Sequence, residues 1–173
     1  MAGMTAAAIS IRLARARDAQ SVAAMSRDLI ETGLGWKYDA QKIAELIAEP
    51  EVLSLVACDR LGLAGFAIMQ FGEDRAHLLL LAVRPRCQRQ GVARRLMQWL
   101  LASARVAGIA ELSLELRAGN EAARAFYRTL GFADAGLVSG YYRKRESAIR
   151  MLRVLRSRSV EASPWQPPTL RRP

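Results

Sequence analysis

The sequence predicts an α/β (α+β) fold, with a mixed, mostly antiparallel central sheet and helices on both faces. Three observations carry that expectation. In the first half, short apolar runs bounded by turn residues follow one another as hairpin partners. In the second half, segments of helical and strand periodicity alternate, which gives a layered sheet rather than a helix bundle or sandwich. The 173 residues are 51% hydrophobic and 24% charged, enough apolar content for a core and too much for a chain disordered throughout. At roughly 150 residues per domain, one domain is expected. It is read over residues 1–156, with 157–173 as a basic, proline-rich tail whose composition predicts disorder.

The elements follow in order. Ile9, Ile11 and Leu13 alternate with Ser10 and Arg12 as a half-buried strand. Asp18 can begin a helix with Val22, Met25 and Leu29 on one stripe, ended by Gly33 and Gly35. A second helix carries Ile43, Leu46 and Ile47 and stops at Pro50. Val52 to Cys58 and Leu63 to Phe71 form a hairpin about the turn Asp59–Gly62. Arg75 to Val83 is a third strand, so apolar from Leu78 onward that both its faces should be covered. After a basic loop, Val92, Leu96, Trp99, Leu100 and Val106 keep helical spacing as a core-facing stripe, closed by Gly108. Glu111 to Leu116 alternates strictly, leucines on one face and Glu111, Ser113 and Glu115 on the other. Asn120 can cap a helix that ends near Gly131, with Phe132 packing back. Ala133 to Val138 and Ile149 to Val154 read as closing strands, with Ser139 to Ser147 as the loop between them.

The charge balance is +10, and it is uneven. Residues 143–173 hold nine basic and two acidic side chains, whereas the rest of the chain is close to neutral. A basic end suits a phosphate-bearing or acidic partner, or serves only for solubility. The longest strictly apolar run is Leu78–Val83, far short of the ~18 residues of a membrane span. The apolar start has no basic residue ahead of it and does not read as a signal peptide, so a cytoplasmic protein without membrane partners is expected. Two scattered cysteines and one histidine make neither a disulfide framework nor a zinc site, so no metal is expected.

Two constellations can carry chemistry. In the first, the strand ending Leu81-Ala82-Val83 runs into the loop Gln88-Arg89-Gln90-Gly91, and the loop into a helix at Val92-Ala93-Arg94. Gly91 lets the backbone approach a ligand, and a helix start offers free N–H groups and a positive dipole end, which suits a pyrophosphate. With one glycine and no Gly-Lys-Ser/Thr, this is neither a dinucleotide fingerprint nor a P-loop. The same residues also fit a helix start with a solvated basic collar. In the second, Glu115 near a strand end and Tyr127 on the following helix can meet over that strand end as a base and an acid. Taken without the loop, they fit better a polar strand face and a residue flanking an apolar helix stripe.

Together, Gln88-x-x-Gly91-x-Ala93 after a strand and Asn120-x-x-Ala123-x-x-Phe126-Tyr127-x-x-Leu130-Gly131-Phe132 after Leu114-Glu115-Leu116-Arg117 resemble the GNAT superfamily of acetyl-CoA-dependent N-acetyltransferases, over about residues 9 to 155. The second half resembles the ribosomal-protein-alanine N-acetyltransferase branch. Tyr141-Tyr142 and then Glu146-Ser147-Ala148 and Met151 are similar to that branch's Tyr-Tyr loop and closing strand. Ser147 stands where the branch has Asp, Leu116 where it has Val, and Ala93 where Gly is commonest.

The resemblance implies acetyl-CoA as co-substrate. Its pantetheine would pair beside Leu81, Ala82 and Val83, with an N–H near Val83 meeting the thioester oxygen. Its pyrophosphate would lie on the backbone of Arg89 to Arg94, and Asn120 would touch the CoA arm. Glu115 matches the family's general base, acting through water, and Tyr127 its general acid, in direct attack by a primary amine within a ternary complex. Trp36, Tyr38, Tyr141 and Tyr142 would flank the acceptor, a protein N-terminus such as that of a ribosomal protein. His77, at the head of a buried strand, reads as structural. Alternatives stay open: a small-molecule amine as acceptor, or a non-catalytic module holding acyl-CoA or RNA through its basic end. Docking on a ribosome or another acidic partner through that end is a further possibility. The chain is expected to be a monomer or homodimer.

Overall fold

The computed structural model describes residues 8–142 and 146–156, with the backbone alone over 140–142. Among these residues are seven strands and four α-helices. In chain order they are β1 (Ser10–Leu13), α1 (Ala19–Leu29), α2 (Ala40–Ala48), β2 (Val52–Asp59), β3 (Gly62–Phe71), β4 (Arg75–Val83), α3 (Val92–Val106), β5 (Glu111–Arg117), α4 (Glu121–Thr129), β6 (Ala133–Tyr142) and β7 (Glu146–Val154). The strands form one sheet in the order β1-β2-β3-β4-β5-β7-β6. Every neighbouring pair is antiparallel except β4 and β5. This is the mixed α/β architecture expected from the sequence.

Alternation along the strands splits the core into two layers. Val56, Phe66, Ile68 and Leu80 pack against α1 and α2 through Val22, Met25, Ile43 and Leu46. Leu55, Ala67, Met69 and Leu78 face the other way, against Leu96, Met97 and Leu100 of α3 and Tyr127 of α4. Each face of the sheet thus removes its apolar side chains from water, at about 25 cal/mol per Å² buried.

Local chemistry sets the ends. Asp39 caps α2, its carboxylate accepting from Lys42 N at 2.8 Å. Asn120 caps α4 in the same way through Ala123 N. Asp18 precedes α1 but spends its carboxylate on Arg12 and on Arg15 N rather than on the helix.

Three expectations need correction. Trp99 and Val106, read as core-facing, are 40% and 91% exposed. The buried arc of α3 passes through Leu96, Met97, Leu100, Leu101 and Ala104, and at 3.6 residues per turn Trp99 and Val106 fall on its edge. The segment 139–147 is not one loop: β6 continues through Tyr142 and β7 begins at Glu146, with Tyr142 opposite Glu146. Finally, β4 is not covered evenly on both faces, because Leu79 and Leu81 are only half-buried. The tail 157–173 lies outside the described residues.

Candidate functional site

The irregularity of β4 creates the site. Ala76 and Leu78 point into the α3 layer, whereas Leu80 and Ala82 point into the α1–α2 layer. A regular strand would keep all four on one face. The parity changes because Leu80 pairs with Ile68 and Leu78 with Met69, leaving Leu79 as a bulge. At the same point β4 leaves β5. Their parallel ladder runs from Arg75–Glu111 to Leu78–Leu114 and stops there. A wedge opens between Leu79–Val83 and Glu115–Arg117, with β-strand backbone along one wall.

Three adjoining cavities occupy this wedge. One of about 890 Å³ lies between Leu81–Val83, the loop before α3 and the face of α4. One of about 540 Å³ lies between β4 and β5 and takes in Glu115, Asn120 and Tyr127. One of about 780 Å³ lies under the segment 30–38 and reaches His77 and Glu115. The first two share Leu81, Asn120, Ala123 and Tyr127. The last two share Ile30, Leu78–Leu80 and Glu115.

The loop between β4 and α3 is built to present backbone donors. It makes a short turn at Pro85–Cys87, then enters the left-handed region at Arg89 (φ 61) and at Gly91 (φ 78), the residue that precedes α3. A β-carbon at Gly91 would meet nothing within 4 Å, so it is the φ angle and not space that calls for glycine. Among the described residues, no acceptor meets the backbone N–H groups of Arg89 to Arg94. Six free donors at a helix N-terminus form a cradle for an anion. Arg86 is paired with Asp59, which holds the Asp59 carboxyl down at about 2. Arg94 reaches Thr129 Oγ1 at 3.2 Å, and Gln88 donates to Val83 O at 3.0 Å.

Glu115 and Tyr127 face the same cavity, as the sequence suggested. The Glu115 side chain is 8% exposed; Oε1 accepts from Arg150 Nε at 2.8 Å, and Oε2 lies 2.9 Å from His77 Nε2. Tyr127 is buried against Phe126 and Phe132, with ring centroids 5.2 and 5.7 Å away. Burial pushes its phenol above the ordinary value, so it stays protonated. Its hydroxyl has no partner among the described residues, yet it is not one of the sealed polar atoms, so it opens toward the cleft.

The third cavity is walled by a pinned segment. Buried Glu31 accepts from Lys37 N at 2.6 Å, Tyr38 N at 3.1 Å and Ser26 Oγ at 3.1 Å. Arg117 reaches from β5 to the carbonyls of Ile30 and Thr32, and pairs with Glu146 at 3.2 Å. Trp36 and Tyr38 line this cavity, with Trp36 Nε1 donating to Tyr38 O.

Of the residues singled out for the nucleotide end, Leu81, Ala82, Val83, Gln88, Arg89, Gly91, Val92, Ala93, Arg94 and Asn120 line the first cavity. Gln90 does not: its side chain turns back to Arg86 O at 2.8 Å. Tyr141 and Tyr142 end β6, and their side chains lie outside the described residues. Sequence reasoning missed the partners of Glu115, the anchor Glu31 and the clamp Arg117. The contacts of Glu115 and Arg117 join strands and loops distant in sequence, and those of Glu31 lie within an irregular segment, so periodic spacing carries no signal for any of them. Among the described residues, no helix is long and apolar enough to cross a membrane, and no group of three His, Cys, Asp or Glu could hold a metal ion.

Comparison with known proteins places this geometry. The model of the acetyltransferase (GNAT) family matches residues 22–132. The [ribosomal protein bS18]-alanine N-acetyltransferase of Escherichia coli (strain K12) is 45% identical over 92 residues, 51% of this chain and 62% of that protein. The chain thus spans less than two thirds of the length of this curated relative. Among solved structures, the ribosomal-protein-S18-alanine N-acetyltransferase from Escherichia coli superposes with a TM-score of 0.75 at 28% identity, covering 89% of this chain and 99% of that one. Ard1 from Thermoplasma volcanium gives 0.76 at 27% identity, covering 87% and 99%.

Proposed function

Because the chain belongs to the acetyltransferase (GNAT) family, we propose that it transfers an acetyl group from acetyl-CoA to a primary amine, the α-amine of a protein N-terminus. The observation that carries this reading is the single wedge in which a donor cradle, the Glu115–Tyr127 pair and a walled acceptor cavity adjoin. The described core and the family match support one acetyltransferase domain over residues 1–156.

The residues present fit acetyl-CoA. The free N–H groups of Arg89–Arg94 suit its pyrophosphate, and the unpaired side of Leu81–Val83 suits its amide-bearing arm, which would add beside β4 like a strand. Asn120 stands at the junction of the two inner cavities. Bound there, acetyl-CoA supplies an activated acyl carbon and a thiolate leaving group.

An ammonium has no lone pair, so the amine must lose a proton before it attacks. Glu115 takes that proton, directly or through water. The nitrogen attacks the thioester carbonyl, the C–S bond breaks as Tyr127 hands its phenolic proton to the departing sulfur, and the proton still in surplus on the nitrogen passes back to the Tyr127 phenolate, which restores the acid and leaves the neutral amide. Deep burial keeps that proton on Tyr127 at neutral pH and so keeps the acid loaded. An N–H near Val83 would hold the carbonyl oxygen as charge develops there, a contribution of roughly 3 kcal/mol for one such donor. Trp36 and Tyr38 line the acceptor side, with Tyr141 and Tyr142 at the adjoining end of β6. The bS18-alanine relatives support an N-terminal acceptor of ribosomal-protein type.

The test is CoA release against peptides beginning with Ala, Ser or Met and against small amines. Turnover of a peptide that stops when its α-amino group is blocked is expected. Turnover of small amines alone would move the acceptor and leave Glu115 and Tyr127 in their roles.

A further inference from the structure

Glu115 is held at both oxygens. Arg150, from β7, occupies Oε1 at 2.8 Å. His77, from β4, lies 2.9 Å from Oε2 through Nε2. Nδ1 of the same ring is 2.8 Å from Ser113 Oγ, which also approaches Ala76 O at 3.5 Å. The strand register makes this chain of contacts. His77 and Ser113 are partners in the parallel ladder, and Glu115 follows Ser113 on the same face, just past the last closed rung. The imidazole therefore spans the root of the wedge and reaches the carboxylate at its opening.

The chemistry of the contact is directional. An ionised carboxylate only accepts, so Nε2 carries the hydrogen. Nδ1 is then free to accept the single Ser113 hydroxyl hydrogen, for which the competing acceptor, Ala76 O, lies farther away at 3.5 Å. Other charged groups near the histidine are committed elsewhere. Arg75 on its own strand faces Glu111. Glu31 across the third cavity is taken by Ser26, Lys37 N and Tyr38 N. Arg150 and His77 are thus the two described side chains that hold the Glu115 carboxylate.

Resting on the reading of Glu115 as the base, we propose that His77 is a positioning residue, whose Nε2–H fixes the Glu115 carboxylate so that its remaining lone pairs face the acceptor amine. Held by Arg150 alone, the carboxylate could pivot about one contact toward that half-exposed arginine. A second donor on the other oxygen fixes its plane, and each oxygen still keeps a lone pair for the proton it must take. A displacement of about 1 Å at a reacting group is enough to cost roughly 100-fold in rate.

Two substitutions separate the two ring nitrogens. His77→Gln puts an amide nitrogen near the place of Nε2 and keeps the donor to Glu115. His77→Asn puts one near Nδ1, reaching Ser113 but not Glu115. The expected result, with acetyl-CoA and the peptide turned over by the wild type, is a kcat within about threefold for His77→Gln and a loss of roughly 10- to 100-fold for His77→Asn. The KM for acetyl-CoA should stay unchanged in both. Equal kcat values for the two variants, or a loss carried by that KM, would overturn the role. Because the chain holds a single histidine, a tag-free sample gives one imidazole to read by nitrogen NMR. The Nε2–H form is expected in the wild type, with its Nε2 resonance moved by Glu115→Gln. An unmoved resonance overturns the contact without any assay of turnover. A wild type inert toward every acceptor overturns the functional reading and the role of His77 with it. An active wild type with matched Gln and Asn variants overturns the role of His77 alone.

Discussion

A phenol enclosed by two aromatic rings holds its proton tightly, and in Tyr127 that property is joined to a hydroxyl opening on the same cavity as a carboxylate. Removing the hydroxyl alone should therefore leave the fold and the nucleotide end intact and lower turnover. For Tyr127→Phe, kcat is expected to fall at least about tenfold while the Kd for acetyl-CoA, read by calorimetry, stays within about twofold; Glu115→Gln should cost roughly 100- to 10,000-fold. Unchanged turnover in Tyr127→Phe would remove it from the acid role. Both residues were legible in the sequence, because strict alternation puts Glu115 on the polar face of its strand and helical spacing puts Tyr127 beside an apolar stripe. His77 was not read as a partner of Glu115. Its environment depends on which strand lies next to its own, and hydrophobic pattern does not encode strand order.

Among the elements, β4 shows where pattern reading ends. Its run of leucines predicted a strand buried on both faces, and the strand is there. The bulge at Leu79 is invisible in such a run, because every residue is apolar whichever way it points. The cap of α4 was readable, since Asn120 is a residue type whose side chain serves orphan N–H groups, whereas Asp39, which caps α2, was not singled out. Gly65, opposite Val83, is a quieter requirement: a β-carbon there would lie 2.9 Å from Ala82 O. Gly65→Ala should destabilise the protein by about 1–3 kcal/mol, as overpacking does, and weaken acetyl-CoA binding because β4 is what must shift. A thermal melt unchanged from wild type would argue that β3 relaxes instead. The loop after β4 is also tied down, by Arg86 on Asp59 at the end of β2. That pairing lowers the Asp59 carboxyl from its ordinary 3.8 to about 2. A carboxyl whose value is lower in the folded state stabilises it above the unfolded value, and that contribution fades as pH falls through about 4 toward 2. Asp59→Asn should thus lower Tm by a constant amount above about pH 5, with the gap to wild type closing near pH 2. A gap independent of pH would assign the loss to packing.

At the scale of the whole molecule, a mixed sheet with helices on both faces follows from hairpin-then-βαβα patterning, which was readable; the order of its strands was not. The placement of the wedge was not, since it depends on two strands parting after four rungs of ladder. Charge adds a property that no single contact holds. The chain carries +10, and Arg89, Arg94 and Arg95 beside the donor cradle have no acidic partner among the described residues. A polyanion such as acetyl-CoA approaches this face through a favourable field, which salt shortens from a reach of about 10 Å at 0.1 M to about 3 Å at 1 M. The field acts on encounter, not on proton transfer between groups already in contact. Raising sodium chloride from about 50 to 500 mM should therefore raise the KM for acetyl-CoA several-fold and leave kcat nearly constant. In Arg89→Gln/Arg94→Gln the KM should start higher and depend less on salt, because the charges that salt screens are gone. If the double variant kept the full salt dependence, the attraction would have to come from the basic residues of 143–156 or the tail, and the face around Gly91 would act through its backbone donors alone.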